Sequence, residues 1–194
     1  MNIDEFMERV ASEPDRAVTL TVWTTPSEVL ATASRPAGLS MMDLFAAKGL
    51  QSERREVQYG HVLGLPASEH TLAAREHQWR PLPADLRALM TSINGIHLWA
   101  DKGTGRSYTG LAPIEEWDLA RIKIHGSAPL LDDRYVAISY HEDGAAFVVL
   151  NLESGQYFLM DAAGPDTTAL IASNANDLLD WFWNNRIAPK NGPT

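Results

Sequence analysis

Residues 135–161, YVAISYHEDGAAFVVLNLESGQYFLMD, constrain the fold more than any other stretch, because three apolar runs are separated by two clusters of turn residues. His141, Glu142, Asp143 and Gly144 form the first cluster, and Glu153, Ser154 and Gly155 the second; in each, glycine supplies the positive φ that a short antiparallel connection favours. The pattern predicts a β-meander. In its first strand Val136, Ile138 and Tyr140 alternate with Ala137, Ser139 and His141, so the two faces of the sheet differ in polarity. In the middle strand Phe147, Val148, Val149 and Leu150 are apolar without alternation, which predicts a central position covered on both faces. The rest of the chain must supply that cover.

Before the meander, Ile3, Phe6, Met7 and Val10 recur at helical spacing behind Asn2 as N-cap, with Asp4 and Glu5 in the first turn. After Pro14, the alternation of Val18, Leu20 and Val22 with Thr19, Thr21 and Trp23 predicts an edge or half-exposed strand. A weaker strand is expected over 29–34, and Ser40 to Asp43 resembles a capping box for a short helix carrying Met41, Leu44 and Phe45 and stopped by Gly49. The charged run 51–58 carries no clear periodicity. From 68 onward the signals sharpen. Leu72, Glu76 and Trp79 share a helical face, and a second helix opens at Pro83 with Asp85 in its first turn. Its stripe is Leu86, Leu89, Met90 and Ile93, and Asn94-Gly95 gives the left-handed stop. A strand is expected over 96–100, a glycine turn over 101–106, and over 111–121 an extended piece that passes into a helical turn. A short strand at 170–172 precedes a last helix, capped by Ser173 or Asn174, whose stripe of Leu178, Leu179, Trp181, Phe182, Trp183 and Ile187 can cover a sheet face. The expected organisation is an N-terminal extension over 1–65, a main domain over 66–188 and a tail over 189–194.

At 194 residues the chain has material for one well-buried core. No apolar run approaches the roughly 20 residues of a membrane span, and the acidic, amphipathic N-terminus is unlike an export signal, so a cytoplasmic location is expected. The absence of cysteine excludes disulfides, thiol catalysis and cysteine-bound zinc. A net charge of −9 disfavours nucleic acid as a partner; it serves either solubility or attraction to a basic protein.

Candidate sites divide between chemistry and binding. The six histidines are dispersed, and His70 and His77 lack the spacing that sets two ligands on one ion, so no metal site is assigned. Gly103-Thr104-Gly105-Arg106 lacks the Lys-Ser ending of a phosphate loop, and Gly126-Ser127 lacks the glycine pattern of a nucleophile elbow. No catalytic residue or cofactor is therefore expected. For binding, Glu115, Glu116 and Asp118 flank Trp117, a combination of acidic groups and an aromatic anchor suited to a basic protein surface. Trp117 serves either as that anchor or as core, and the same choice applies to Trp99 and Tyr108. His141, Glu142 and Asp143 form a polar hairpin tip whose bland reading is simple solvation and whose functional reading is partner contact.

The order of these parts resembles the SUKH superfamily, mostly bacterial immunity proteins that neutralise cognate toxins. The residues that carry the resemblance are Leu82-Pro83-Ala84-Asp85-Leu86 leading into the helix that ends at Asn94-Gly95, and then Leu111-Ala112-Pro113-Ile114-Glu115-Glu116. They continue with Val136-Ala137-Ile138-Ser139, the strand ending Val149-Leu150-Asn151-Leu152, the Gly155 turn, and Ser173 leading into Leu178-Leu179-Asp180-Trp181-Phe182. The resemblance spans roughly 68–187, and residues 1–65 have no counterpart in it. It implies an α+β fold with an antiparallel sheet. It further implies a non-enzymatic inhibitor, monomeric or homodimeric, that blocks a cytoplasm-acting toxin of the nuclease, deaminase or nucleotide-modifying class from a polymorphic-toxin system. A regulatory or scaffolding module of the same fold, and a small enzyme with an unrecognised pocket, stand as the alternatives.

Overall fold

The computed structural model describes residues 1–24, 51–107, 109–120, 133–141, 146–161 and 168–189. The strand expected over 29–34 and the capping-box helix after Ser40 lie outside the described residues. Within them the chain is α+β, and nine strands form one antiparallel sheet in the order β1-β2-β3-β4-β6-β7-β8-β9, with β5 also paired to β6. The strands are β1 (Arg16–Thr24), β2 (Gln51–Leu63), β3 (Ile96–Asp101), β4 (Thr109–Leu111), β5 (Asp118–Leu119), β6 (Tyr135–His141), β7 (Ala146–Asn151), β8 (Tyr157–Asp161) and β9 (Ala169–Ala172). The helices are α1 (Ile3–Ser12), α2 (Glu69–Gln78), α3 (Ala84–Met90) and α4 (Ala175–Asn184), with a 3-10 turn at Ile114–Glu116.

The predicted meander is β6-β7-β8. β7 pairs with β6 on one side and β8 on the other, and Val148, Val149 and Leu150 are each fully buried. Its two faces enter different clusters. Val148 and Leu150 join Val136, Ile138 and Tyr157 in the main core beneath the helices, where Phe6, Leu72, Leu86, Leu89, Met90, Leu178 and Phe182 meet them. Val149 turns the other way, into a smaller cluster with Ala120, Ala137 and Met160, against which Tyr135, Phe147 and Phe158 pack. All four helices therefore lie on one side of the sheet. The helices expected to cover that side, at Leu86 and at Trp181-Phe182, do so, joined by α1 through Phe6 and α2 through Leu72.

Local chemistry fixes the helix ends. The side chains of Asn2, Ser68 and Asn174 accept from the N–H groups of Glu5, Thr71 and Asp177, each an N-cap bond. α3 departs from expectation in detail. Pro83 is its N-cap residue, the helix closes at Met90, and Ile93, still 1% exposed, reaches the core from the turn that follows. Asp85, expected to complement its own helix, accepts from the Ala175 N–H at 2.6 Å and so also holds the start of α4. Glu76 of α2 accepts from the Leu82 N–H and from the Arg87 guanidinium, at 3.2 and 3.3 Å, fixing the chain between α2 and α3.

The segment before residue 65 extends the sheet. β2, over the charged run without periodicity, is the longest described strand at 13 residues, and it pairs with β1 throughout that strand's length. From Tyr59 onward it pairs with β3, so the N-terminal ribbon continues the main sheet. α1 completes the attachment by burying Phe6, whose ring meets Trp183 edge to face at 6.0 Å. Between 100–101 and 96–97 the β3 ladder shifts register, so that Leu98 and Trp99 together oppose His61, a β-bulge. Trp99 takes a left-handed φ of 54°, uncommon for a bulky residue.

Candidate partner-binding surface

The acidic turn Glu115–Asp118 is held by short-range chemistry at the C-terminal stop of α3. Gly95, expected as the stop of α3, adopts φ 113° but lies beyond the C-cap Thr91, in the turn that leads into β3, and the preceding Asn94 serves the neighbouring loop. Asn94 Oδ1 accepts from the Ile114 N–H at 2.8 Å, and its Nδ2 donates to Glu115 Oε2 at 2.8 Å. Arg75 of α2 donates to the Glu115 carbonyl. The turn is thus fastened to α2 and to the turn that follows α3, and Glu115 and Glu116 remain exposed. Asp118, in β5, is half-buried, and its Oδ1 accepts from the Leu119 N–H at 2.8 Å.

The aromatic candidates are placed differently. Trp117 is 2% exposed in the main core, and its indole N–H donates to the Ala112 carbonyl at 2.7 Å. Trp99 is 1% exposed beside Val18, Val57 and Tyr59. As folded, neither offers a surface to a partner, because at these positions burial of a large ring outweighs any gain from exposing it. Tyr108, Glu142 and Asp143 lie outside the described residues; the backbone of His141 pairs with Ala146 and Thr109.

The position of Trp99 exposes a cluster that sequence reasoning missed. The bulge leaves the Trp99 N–H without a ladder partner, and His61 Nδ1 accepts from it at 3.1 Å. The His61 side chain is 2% exposed, and its Nε2 faces Glu13 Oε2 at 3.0 Å, so the ring is the neutral tautomer that donates from Nε2. Glu13 also pairs with Arg186 at 3.2 Å and with Arg16 at 3.3 Å. Arg16 stacks over Trp99 at 4.4 Å and Arg186 over Trp183 at 4.0 Å, and the His61 ring lies 4.5 and 5.8 Å from the two indoles. Burial lowers the His61 pKa from its ordinary 6.5, against the Glu13 hydrogen bond, which raises it. The cluster joins α1, β1, β2, β3 and the end of α4; it is a structural clasp. No periodicity links Glu13, His61 and Arg186, so only the register of β2 against β3 reveals it.

Two cavities bear on chemistry. One of about 10 Å³, room for about one water, is lined by His97, Ser107, Gly110, Glu116 and Ser139 among others, on the side of the sheet away from the helices. His97 Nδ1 lies 3.2 Å from Ser107 Oγ; burial lowers its pKa and the Glu116 charge raises it. The second, about 250 Å³, lies between α1, α3 and α4, and its lining includes Ile3, Ala88, Leu89 and Leu179 with Asn2 and Asp85. Asp85 is already engaged with the Ala175 N–H at the start of α4. A histidine beside a serine in a space of one water, and a carboxylate tied to a backbone N–H, give no open constellation for acid–base or nucleophilic catalysis.

Among the described residues no helix is long and apolar enough to cross a membrane. Comparison with protein families matches residues 66–181 to the SMI1 / KNR4 family (SUKH-1). No curated protein matches the chain.

Proposed function

Because this chain belongs to the SMI1 / KNR4 family (SUKH-1), we propose that it is an immunity protein that binds a cognate toxin and blocks it. The family match over 66–181 is the observation that carries the reading, since it spans α2, α3, β3 to β9, most of α4 and the acidic turn. Members of the wider superfamily act mostly by binding, without catalysis of their own. In this reading the toxin acts in the cytoplasm on nucleic acid or nucleotides, and the chain occludes its active cleft.

Charge supports that choice of target. Enzymes that act on polyanions line their clefts with Lys and Arg, and a partner of net charge −9 is drawn to such a cleft by long-range attraction that raises the association rate. Glu115, Glu116 and Asp118 are the described acidic groups assigned to the contact, together with the His141-Glu142-Asp143 tip. Reversing the charge at Glu116 and Asp118 is expected to slow association and to flatten its dependence on salt; unchanged rates across a salt series would remove these groups from the interface. Stopped-flow mixing with the inactivated toxin makes the measurement.

A further inference from the structure

Among the described residues three large apolar side chains are exposed: Val62 at 43%, Leu65 at 86% and Leu170 at 54%. A solitary exposed leucine needs no explanation. Val62 and Leu65 differ in their company. They stand three positions apart where β2 runs out, just before the family match begins at 66. Tyr59 and Leu63 pack into buried clusters, so the alternation of the strand turns Val62 to the opposite side. Its cross-strand partner there is His97, whose cavity is also lined by Glu116.

The loop that carries Leu65 is tightly held. The Gly64 N–H donates to the Gly95 carbonyl at 2.8 Å, and the Leu65 carbonyl accepts from the Asn94 N–H at 3.2 Å. A Cβ at Gly64 would stand 2.0 Å from the Asn94 carbonyl oxygen, so the backbones approach more closely there than any other residue allows. Asn94 is the residue whose side chain also binds Glu115 and the Ile114 N–H. One asparagine therefore joins the loop of the most exposed apolar side chain to the turn of the two exposed glutamates. A surface fixed in this way loses little further entropy when it is covered.

We propose that Leu65 is the apolar anchor of the partner-binding surface, with Val62 beside it and Glu115 and Glu116 as its acidic rim. The occupant is a protein that presents lysine or arginine around an apolar depression. A second copy of this chain would bring like charges against the rim, so charge complementarity selects a basic partner. The identification of that partner as the toxin rests on the immunity reading. The anchor lies outside the family-matched region while the rim lies inside it, which makes the N-terminal extension a contributor to partner choice.

Calorimetric titration of the full chain with the catalytically inactivated toxin encoded beside it tests the assignment, using L65A, L65D, E116Q and L170A. L65A is expected to weaken binding by about tenfold and L65D by more, as for an anchor residue in a desolvated contact. E116Q is expected to reduce the salt dependence, and L170A, on the edge strand β9, to bind as the unaltered chain does. Leu65 is exposed, so both substitutions at it are expected to leave thermal unfolding unchanged. Unaltered binding by L65D overturns the anchor and leaves the immunity reading standing. Equal losses in L65A and L170A overturn it as well, and failure of the unaltered chain to bind overturns both.

Discussion

β7 in the meander and β2 in the N-terminal ribbon belong to one sheet, yet they are strands for different reasons. β7 is apolar on both sides, and its three central residues are completely buried between the helices and the opposite cluster. β2 carries the charged residues Glu53, Arg54, Arg55 and Glu56, the last three of them exposed, and Val57 follows as a buried position. Its polar half is held by the ladder to β1, and the burial that anchors the ribbon lies further along, at Val57, Tyr59 and the His61 clasp. Hydrophobic burial specifies the first strand residue by residue; pairing with a neighbour specifies the second. β4 stands between the two ends, hydrogen-bonded to β3 on one side and β6 on the other.

The largest effect is expected where that link is cut. Gly110 of β4 has φ 157°, and a Cβ on it would stand 1.7 Å from the Ile96 carbonyl oxygen, so Gly110→Ala forces β3 and β4 apart. A loss of more than about 4 kcal/mol in urea unfolding is expected. A mild effect would mean that the two ends are not coupled through β4. Next comes β7. Leu150→Ala empties a fully buried site and is expected to cost about 3 kcal/mol, measured by the same titration.

The clasp gives a smaller effect that depends on pH. The folded-state pKa of His61 lies below 6.5, so as pH falls through that value the unfolded chain takes up the proton first. Stability is therefore complete above neutrality and declines as pH drops below about 6.5. His97 shifts in the same direction and adds to the slope. His61→Gln is expected to flatten the pH dependence in part, and a second replacement, His97→Gln, to flatten it further. An unchanged slope in both would show that other groups govern it. The smallest effect belongs to the exposed half of β2, where Arg55→Ala is expected to change stability by less than about 0.5 kcal/mol.

The same contrast explains what could be read from the chain. The meander, α1, α3, α4 and the covering role of Leu86 and Phe182 were legible because each packs a regular apolar stripe against the core, and periodicity reports burial; α2 buries Leu72 alone. β2 was not, since a ladder between half-exposed strands leaves no stripe, and β5, only two residues long, is too short for one. At the candidate surface the carboxylates of Glu115 and Glu116 were legible as exposed acids in a turn. The burial of Trp117 was not decided by its acidic neighbours, because the fold of the turn directs Trp117 inward through its bond to Ala112. Leu65, Asn94 and the Glu13–His61–Arg186 clasp depend on contacts between segments 21 to 173 positions apart, beyond the reach of local pattern.

The most direct test of the account is co-expression of this chain with the product of the adjacent gene, after that product alone has been shown to kill cells, scored by growth and by recovery of the complex. The account predicts that cells survive and that the two proteins purify together at a fixed ratio. Cell death in the presence of abundant, folded chain, with no complex recovered, would contradict it.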